Sequence, residues 1–186
     1  IVQGESGVMD LTGFPDGPPV KVGNSIGDLV AGMSAAQGVT LALLARSKSK
    51  SGKGQKVEIG MLDVMASLLT YQAGLYWNAG GRPTRRGNQH PSIVPYEVFQ
   101  AQDAYMTLGV ANNSLWERMC GAIGRDDLAK DPRFDSEARR VTNRDALIPA
   151  LNAEFGKRPA GEWLARLDKA GVPAGRIKTV AEVCES

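Results

Sequence analysis

The chain is poor in residues that bind metals or form disulfides. Its 186 residues include two cysteines, Cys120 and Cys184, and a single histidine, His90. Two cysteines without CxxC spacing are too few for a disulfide framework or a cysteine-rich metal site, and one histidine cannot form a ligand cluster. We therefore predict no metal ion and a reducing, cytoplasmic location. Cys120 lies beside Met119 in a helical apolar pattern, which predicts a core position.

The chain also lacks an excess of charge of one sign and a long uncharged apolar segment. The net charge is +2 and acidic and basic residues are interspersed, which argues against a nucleic-acid surface. The apolar run from Leu29 to Ala45 falls short of the roughly 18 uncharged residues that a membrane span needs. No basic segment precedes an apolar stretch at the N-terminus, as a secretory signal would require. We predict neither nucleic acid nor membrane as a partner.

The dipeptide Gly27-Asp28 is the most informative feature that is present. It follows a turn-rich segment, Gly13–Pro19, and precedes the apolar run Leu29–Arg46, which predicts a helix with Asp28 as its N-cap. The positive end of the helix dipole attracts a negative charge there. Because an ionised carboxylate can serve as a nucleophile, these residues leave both a capping and a catalytic role open. Apolar residues cover more than one face of the helix, which predicts that it is buried.

The first part of the chain has the order of elements found in parallel α/β proteins. The helix is followed by a turn at Ser51–Gly54, a predicted strand at Gln55–Ile59 and a predicted helix at Met61–Trp77. Helix, glycine turn, strand and helix form half of a parallel α/β unit. We assign residues 1–78 to this unit and the polar, glycine-rich residues 79–95 to a linker loop.

Residues 96–186 have a different pattern, which predicts a smaller α+β domain. Strands at Tyr96–Phe99 and Tyr105–Val110 suggest a hairpin, and a strand is predicted at Ala174–Lys178. Capping-box spacing occurs at Ser114 with Glu117 and at Thr179 with Glu182. The helices are predicted near Asn112–Ile123, Ser136–Val141, Arg144–Phe155, Ala160–Ala170 (ended by Gly171) and after Thr179.

Several short motifs follow one another in order along nearly the whole chain. They include Gln3–Gly13, Gly23–Asp28 with Gly32, Ser51–Val57, Arg86–Asn88 with His90-Pro91, Pro95-Tyr96, Trp116–Arg118, Asp131–Phe134, Arg140 with Asn143, and Gly171–Gly175. Each motif is a common turn or helix pattern, but the ordered set resembles the class III CoA-transferase family of the CaiB/BaiF type. Since the chain opens on Ile1 within one of these motifs, we expect it to be a central segment of a longer protein.

The resemblance implies a fold, a partner and a set of site residues. The fold would be part of a nucleotide-type α/β large domain followed by a smaller α+β domain, in an interlocked homodimer. Asp28 would be the catalytic nucleophile, and the substrate-binding residues would be Gly27, Gly87, Asn88, His90 and Tyr96. The substrates would be a coenzyme A thioester and a carboxylic acid, with no tightly bound cofactor.

The same resemblance leaves three functions open. A CoA-transferase would pass CoA between acids through an aspartyl anhydride and an aspartyl-CoA thioester. A 2-methylacyl-CoA racemase or epimerase of the family would instead use Asp28 for proton transfer, together with a second acid–base group. The segment could also be a non-catalytic dimerisation fragment.

Other candidate residues have simpler structural interpretations. Glu58 alternates with apolar residues of a predicted strand, and Asp63 lies in the first turn of a predicted helix. His90 precedes a proline and suits a turn. Arg85 and Arg86 could meet CoA phosphates, although solvated loop arginines are the expected outcome. Core roles are predicted for the large aromatic residues Trp116, Phe134 and Trp163.

Overall fold

The computed structural model describes all residues from Ile1 to Ser186 and divides them into two compact units, Ile1–Gly87 and Asn88–Ser186. The first unit contains α1 (Val2–Glu5), α2 (Val8–Leu11), α3 (Ile26–Lys48), α4 (Met61–Ser67) and α5 (Thr70–Ala79). The second contains β1 (Tyr96–Gln100), β2 (Tyr105–Gly109), α6 (Asn113–Ile123), α7 (Asp126–Lys130), α8 (Glu137–Thr142), α9 (Arg144–Phe155), α10 (Ala160–Lys169), β3 (Ala174–Arg176) and α11 (Val180–Cys184). The chain therefore combines helices with one small sheet, and the assignment of residues to a large and a small domain stays a prediction.

The first unit is built from helices, and the predicted strand at Gln55–Ile59 is wrong. A strand forms only where a neighbouring strand pairs its backbone N–H and C=O groups, and this unit contains no strand. The segment lies against α3 instead. A Cβ placed on Gly38 would lie 2.9 Å from Val57 Cγ1 and 3.6 Å from Ile59 Cδ1. Gly38 therefore allows this close approach at the surface of the helix.

The helix predicted at Met61–Trp77 is two helices. The structure ends α4 at Ser67 and begins α5 at Thr70. Thr70 has a φ of 43°, a left-handed conformation that is uncommon for a β-branched residue. The helical geometry is therefore interrupted between α4 and α5, which the apolar pattern of the segment does not indicate.

The long helix α3 is exposed along most of its length, contrary to the prediction that it is buried. Gly27 is its only buried residue, and the side chains of Leu29, Met33 and Leu41 are more than half exposed. By length and composition, α3 is the one helix of the chain that could cross a membrane. A core helix of a soluble protein meets the same criteria, so these properties do not assign α3 to a bilayer.

The second unit is organised around a three-stranded antiparallel sheet in the order β1-β2-β3. Tyr96 pairs with Gly109, and Thr107 of β2 pairs with Gly175 of β3. Alternate strand residues such as Phe99 and Leu108 face a continuous core. Its largest members are Trp116, Trp163, Phe99, Phe134, Phe155, Met106, Met119, Leu147 and Leu151. The predicted core positions of the three aromatic residues and of Cys120 are confirmed.

One of the two capping boxes predicted in this unit is present in the structure. Asn112 caps α6, because its side chain accepts a hydrogen bond of 2.8 Å from the Leu115 N–H. The predicted capping box of Ser114 is therefore wrong, since an asparagine two residues earlier already serves the first turn. The capping box of Thr179 and Glu182 at α11 is confirmed.

Candidate active site

Asp28 lies in the first turn of α3, with its side chain exposed. The prediction that Asp28 is the N-cap is wrong, because Ser25 occupies that position and the helix begins at Ile26. The first helical hydrogen bond runs from the Leu29 N–H to the Ser25 carbonyl. The Asp28 carboxylate has no hydrogen-bond or ion-pair partner in the chain, and the Ser25 side chain makes no cap bond. The carboxylate and the free N–H groups of this turn are therefore available to a ligand.

Gly27 and Gln3 fix the start of α3. A Cβ placed on Gly27 would lie 3.1 Å from Val2 Cγ2 of α1, so a larger residue would require Val2 to shift, and 3.7 Å from Met61 Sδ of α4, which is an ordinary contact. The Gln3 side chain accepts a hydrogen bond of 2.9 Å from the Val22 N–H and donates one of 3.4 Å to the Asn24 carbonyl. The loop that leads into Asp28 is therefore held by a motif residue from the N-terminus of the chain.

Gly87 lies at the end of the first unit and has a structural reason to be glycine. Its φ is +60°, and its N–H donates to the Gly13 carbonyl at 2.9 Å. A Cβ at this position would lie 2.7 Å from Phe14 Cδ1. The predicted role of Gly87 in substrate binding stays a prediction, since these contacts are all within the protein.

Arg85 is also a structural residue rather than the solvated loop arginine that we expected. Its side chain is about 20% exposed and pairs with Asp10 at 3.1 Å. The segment before Gly87 is thereby tied to the end of α2. Arg86, by contrast, is exposed, as predicted.

In the second unit, His90 is held by hydrogen bonds on both its backbone and its ring. Its N–H donates to the Tyr96 carbonyl at 3.0 Å. Its ring Nδ1 accepts hydrogen bonds from the Ser92 and Ile93 N–H groups at 3.2 and 3.1 Å. An Nδ1 that accepts carries a lone pair, so the neutral ring has its proton on Nε2. His90 is thus a turn residue, as predicted, with Nε2–H left as a free donor.

The structure brings His90 and Tyr96 together. Their rings are stacked, with centroids 5.2 Å apart and an interplanar angle of 23°. Tyr96 also lines an open groove of about 490 Å³ with Thr107, Gly109, Pro173 and Gly175. Asn88 is exposed at the start of the unit. A ligand could therefore reach Asn88, the Tyr96 ring and the groove.

Two arginines and a glutamate near His90 were missed as site residues by the sequence analysis. Arg144 donates to the His90 carbonyl and, at 2.9 Å, to Glu97 Oε1. Arg140 is fully buried and donates to the Val94 carbonyl at 2.9 Å. Burial raises the pKa of Glu97, and Arg144 opposes this shift. The alternating pattern of β1 could have revealed these residues. It places Glu97 on the inward face with Phe99, and a buried carboxylate needs a partner.

The rival carboxylates of the first unit have local roles. Asp63 folds back over the residue before its helix, where a Cβ on Gly60 would overlap the Asp63 carboxylate. Glu58 forms an exposed pair with Lys56. Asp28 therefore differs from Glu58 by its lack of an ion-pair partner. Asp63 is likewise exposed and without such a partner, and only Asp28 follows the motif Gly23–Gly27.

Comparison with known sequences decides the family. The sequence profile of CoA-transferase family III matches residues 1–186. The chain belongs to CoA-transferase family III. An acetyl-CoA:oxalate CoA-transferase of Acetobacter aceti is 44% identical over 184 residues. A succinate–glutarate CoA-transferase of Agrobacterium fabrum is 34% identical over 183 residues. Each alignment covers 98% of this family III chain, which spans 46% and 45% of the two relatives.

Two solved structures share the fold of this chain. A CaiB/BaiF family protein from Brucella suis superposes with a TM-score of 0.83 at 37% identity. A protein from Mycobacterium tuberculosis superposes with a TM-score of 0.85 at 26% identity. Both comparisons cover 100% of this chain and 48% of the other. The family III chain thus corresponds to about half the length of these proteins, and the resemblance seen in the sequence motifs is confirmed.

Proposed function

We propose that the protein is a CoA-transferase that moves CoA from an acyl-CoA donor to a carboxylic acid, with Asp28 as its nucleophile. The observation that carries the proposal is the exposed, unpartnered Asp28 carboxylate in the first turn of α3 of a family III chain. A carboxylate nucleophile suits this reaction because the anhydride that it forms is reactive enough to be attacked again.

The proposed reaction begins with two displacements at acyl carbons. An Asp28 carboxylate oxygen attacks the thioester carbonyl, the C–S bond breaks, and CoA thiolate leaves behind a mixed anhydride. The thiolate then attacks the Asp28 carbonyl carbon, which releases the donor acid as a carboxylate and leaves an aspartyl-CoA thioester. No proton is consumed and no ATP is needed.

The acceptor reverses these steps. Its carboxylate attacks the aspartyl thioester and expels CoA thiolate, and the thiolate attacks the acceptor's carbonyl in the new anhydride. The acceptor leaves as a CoA thioester and the Asp28 carboxylate is regenerated. Free N–H groups of the α3 first turn are suited to stabilise the oxyanions that form at Asp28.

The substrate-binding residues that we propose are Gly27, Gly87, Asn88, His90 and Tyr96. Among them, His90 offers the free Nε2–H donor and Tyr96 an exposed ring beside a groove. Short dicarboxylates are the first acceptors to test, because the relatives' names include oxalate, succinate and glutarate. We further expect an interlocked homodimer in the cytoplasm, with no tightly bound cofactor.

The decisive experiment traps the aspartyl intermediate. The complete natural polypeptide is incubated with acyl-CoA donors and dicarboxylates and treated with hydroxylamine, and the modified residue is located by mass spectrometry. We expect a donor-dependent hydroxamate at Asp28 and loss of transfer in Asp28→Asn. Asp63 is the matched control, since it is likewise the third residue of its helix, and Asp63→Asn should keep the hydroxamate.

One alternative result would replace the proposal. If Asp28 stays unlabelled while the α-proton of a 2-methylacyl-CoA exchanges with solvent, the protein is a racemase or epimerase and Asp28 is an acid–base group. Absence of both labelling and exchange in a folded protein would favour a non-catalytic role.

A further inference from the structure

The loop between His90 and Pro95 is held by two arginine side chains that lie four residues apart in sequence. Arg144, the first residue of α9, donates to the His90 carbonyl. Arg140 of α8 donates from Nε to the Val94 carbonyl at 2.9 Å. The two guanidinium groups therefore bind the first and the last carbonyl of the segment that contains Ser92 and Ile93, whose N–H groups orient the His90 ring.

Each arginine is itself fixed by the core of the second unit. Arg140 also donates to the Phe134 carbonyl and to Asn113 Oδ1, both at 3.0 Å, and its guanidinium carbon lies 5.2 Å from the Trp116 ring centroid. Arg144 is about 14% exposed and pairs with Glu97, whose side chain is about 7% exposed. A guanidinium presents several donors in a rigid plane, so it can hold a carbonyl and a second oxygen at once.

The loop geometry has one consequence for the His90 ring. Since Nδ1 accepts from two backbone N–H groups, the neutral ring keeps its proton on Nε2, which has no hydrogen-bond partner within the chain. The ring cannot turn over without losing both of these bonds, and its stacking on Tyr96 keeps the plane of the ring in place. It is therefore a fixed donor, suited to bind a carbonyl or carboxylate oxygen.

We propose that Arg144 and Arg140 are positioning residues that hold His90 as an Nε2–H donor to an oxygen atom of the substrate. The proposal rests on the proposed CoA-transferase function, which supplies that oxygen. Arg144 acts through the His90 carbonyl and Arg140 through the end of the loop. The Arg144–Glu97 pair links the site to β1 of the sheet.

The test is a double-mutant cycle in the complete natural polypeptide. Asparagine at position 90 keeps an acceptor near Nδ1 but removes the Nε2 donor, so His90→Asn should lower kcat about a hundredfold with little change in KM. Arg144→Gln should lower kcat at least tenfold by loosening the loop, and Arg144→Lys should restore part of this loss. The double variant should be no slower than His90→Asn alone, because Arg144 acts through His90.

A matched control shows whether the loss of kcat in Arg144→Gln comes from the loosened loop or from the loss of one positive charge. Arg139, also on α8, is exposed and pairs with Asp135 and the Pro132 carbonyl, away from the loop. Arg139→Gln should leave kcat and KM within twofold of the wild type. Arg140→Gln is added only if circular dichroism shows a folded protein, since this residue is fully buried.

A second measurement does not depend on activity. Nitrogen-15 NMR of histidine-labelled protein, with His90 assigned from its absence in His90→Asn, should show the Nε2–H tautomer in the wild type and tautomer averaging in Arg144→Gln. An unchanged tautomer in Arg144→Gln, additive kinetic losses, or full activity of His90→Asn would each overturn the proposal. A missing hydroxamate at Asp28 with the expected tautomer change would instead overturn the transferase function and leave the positioning of His90 standing.

Discussion

Arg140 stacks over the indole ring of Trp116, with no carboxylate bound to its guanidinium group. Its three hydrogen bonds go to two backbone carbonyls and to the side chain of Asn113. Burial lowers the pKa of Arg140, so neutral oxygens and an aromatic face replace the water that a cation loses in the core. Removing this side chain leaves buried carbonyls without donors.

We therefore expect Arg140→Ala to lower the free energy of unfolding by about 2–5 kcal/mol, because it leaves buried carbonyls unpaired and opens a cavity. The exposed Arg139→Ala on the same helix should change it by less than about 0.5 kcal/mol. Urea unfolding followed by tryptophan fluorescence measures both. Equal effects of the two substitutions would show that the buried hydrogen bonds are not formed.

Gly87→Ala should be destabilising for two reasons that a control can separate. Alanine in the left-handed region costs about 1–2 kcal/mol, and the added Cβ would also displace the Phe14 ring. Gly52 has a φ of +61° and open space around it, so Gly52→Ala gives the backbone cost alone. In a Phe14→Ala background the two glycine substitutions should become equivalent. If Gly87→Ala remained more destabilising than Gly52→Ala in this background, the extra loss would come from a contact other than Phe14.

Asn112→Ala should lower the free energy of unfolding by about 1 kcal/mol, because it removes the N-cap bond to the Leu115 N–H. Ser114→Ala should have a much smaller effect, since Ser114 makes no cap bond. Denaturant unfolding of both variants distinguishes the two. A larger loss for Ser114→Ala would restore the capping box that the sequence pattern predicted.

Glu97 should give the fold a specific dependence on pH. Its pKa is raised by burial above the usual 4.5, with Arg144 acting in the opposite direction, so the folded state holds this proton more tightly than the unfolded chain. The stabilisation is fully present below pH 4.5 and is lost as the pH rises through the folded pKa. Urea unfolding between pH 4 and 7 should show this fall in the wild type relative to Glu97→Gln. Parallel profiles for the two proteins would contradict the shift.

The two cysteines should differ in reactivity. Burial raises the pKa of Cys120 to about 12, whereas Cys184 is exposed. Since the thiolate is the reactive form, iodoacetamide at pH 8 should modify Cys184 in the native protein and Cys120 only after unfolding. Mass spectrometry of Cys184→Ser, which should take up no label when folded, checks the assignment.

The sequence predicted elements best where the whole pattern is local. The hairpin, α9, α10 and the Thr179 cap depend on alternation, helical spacing and residues within one turn, and the structure contains all of them. The prediction of a strand at Gln55–Ile59 was wrong because a strand needs a neighbouring strand to pair with. Apolar alternation does not reveal whether such a neighbour is present. The prediction that α3 is buried was wrong for a related reason, since an apolar helix surface does not show which element would cover it.

The candidate site residues likewise differ in whether local sequence or a tertiary contact reveals them. Asp28 could be proposed as a site residue from its position after Gly27 and before a long helix, together with the motif order. Arg144 could not, because its proposed function depends on a contact with His90 across 54 positions of sequence. Tertiary hydrogen bonds of this kind are visible in the sequence only indirectly. Here the only indication is Glu97 on the inward face of β1.

The buried side chains are unevenly shared between the two units. Met65 is the only buried hydrophobic residue of Ile1–Gly87, while the remaining core lies within Asn88–Ser186. Exposed positions of α3 can therefore change at little cost in stability, whereas the His90 loop is anchored to side chains that tolerate few changes. Evolution would therefore find more neutral substitutions on the exposed surface of α3 than in the His90 loop, so α3 is the better place to begin engineering the surroundings of the proposed nucleophile.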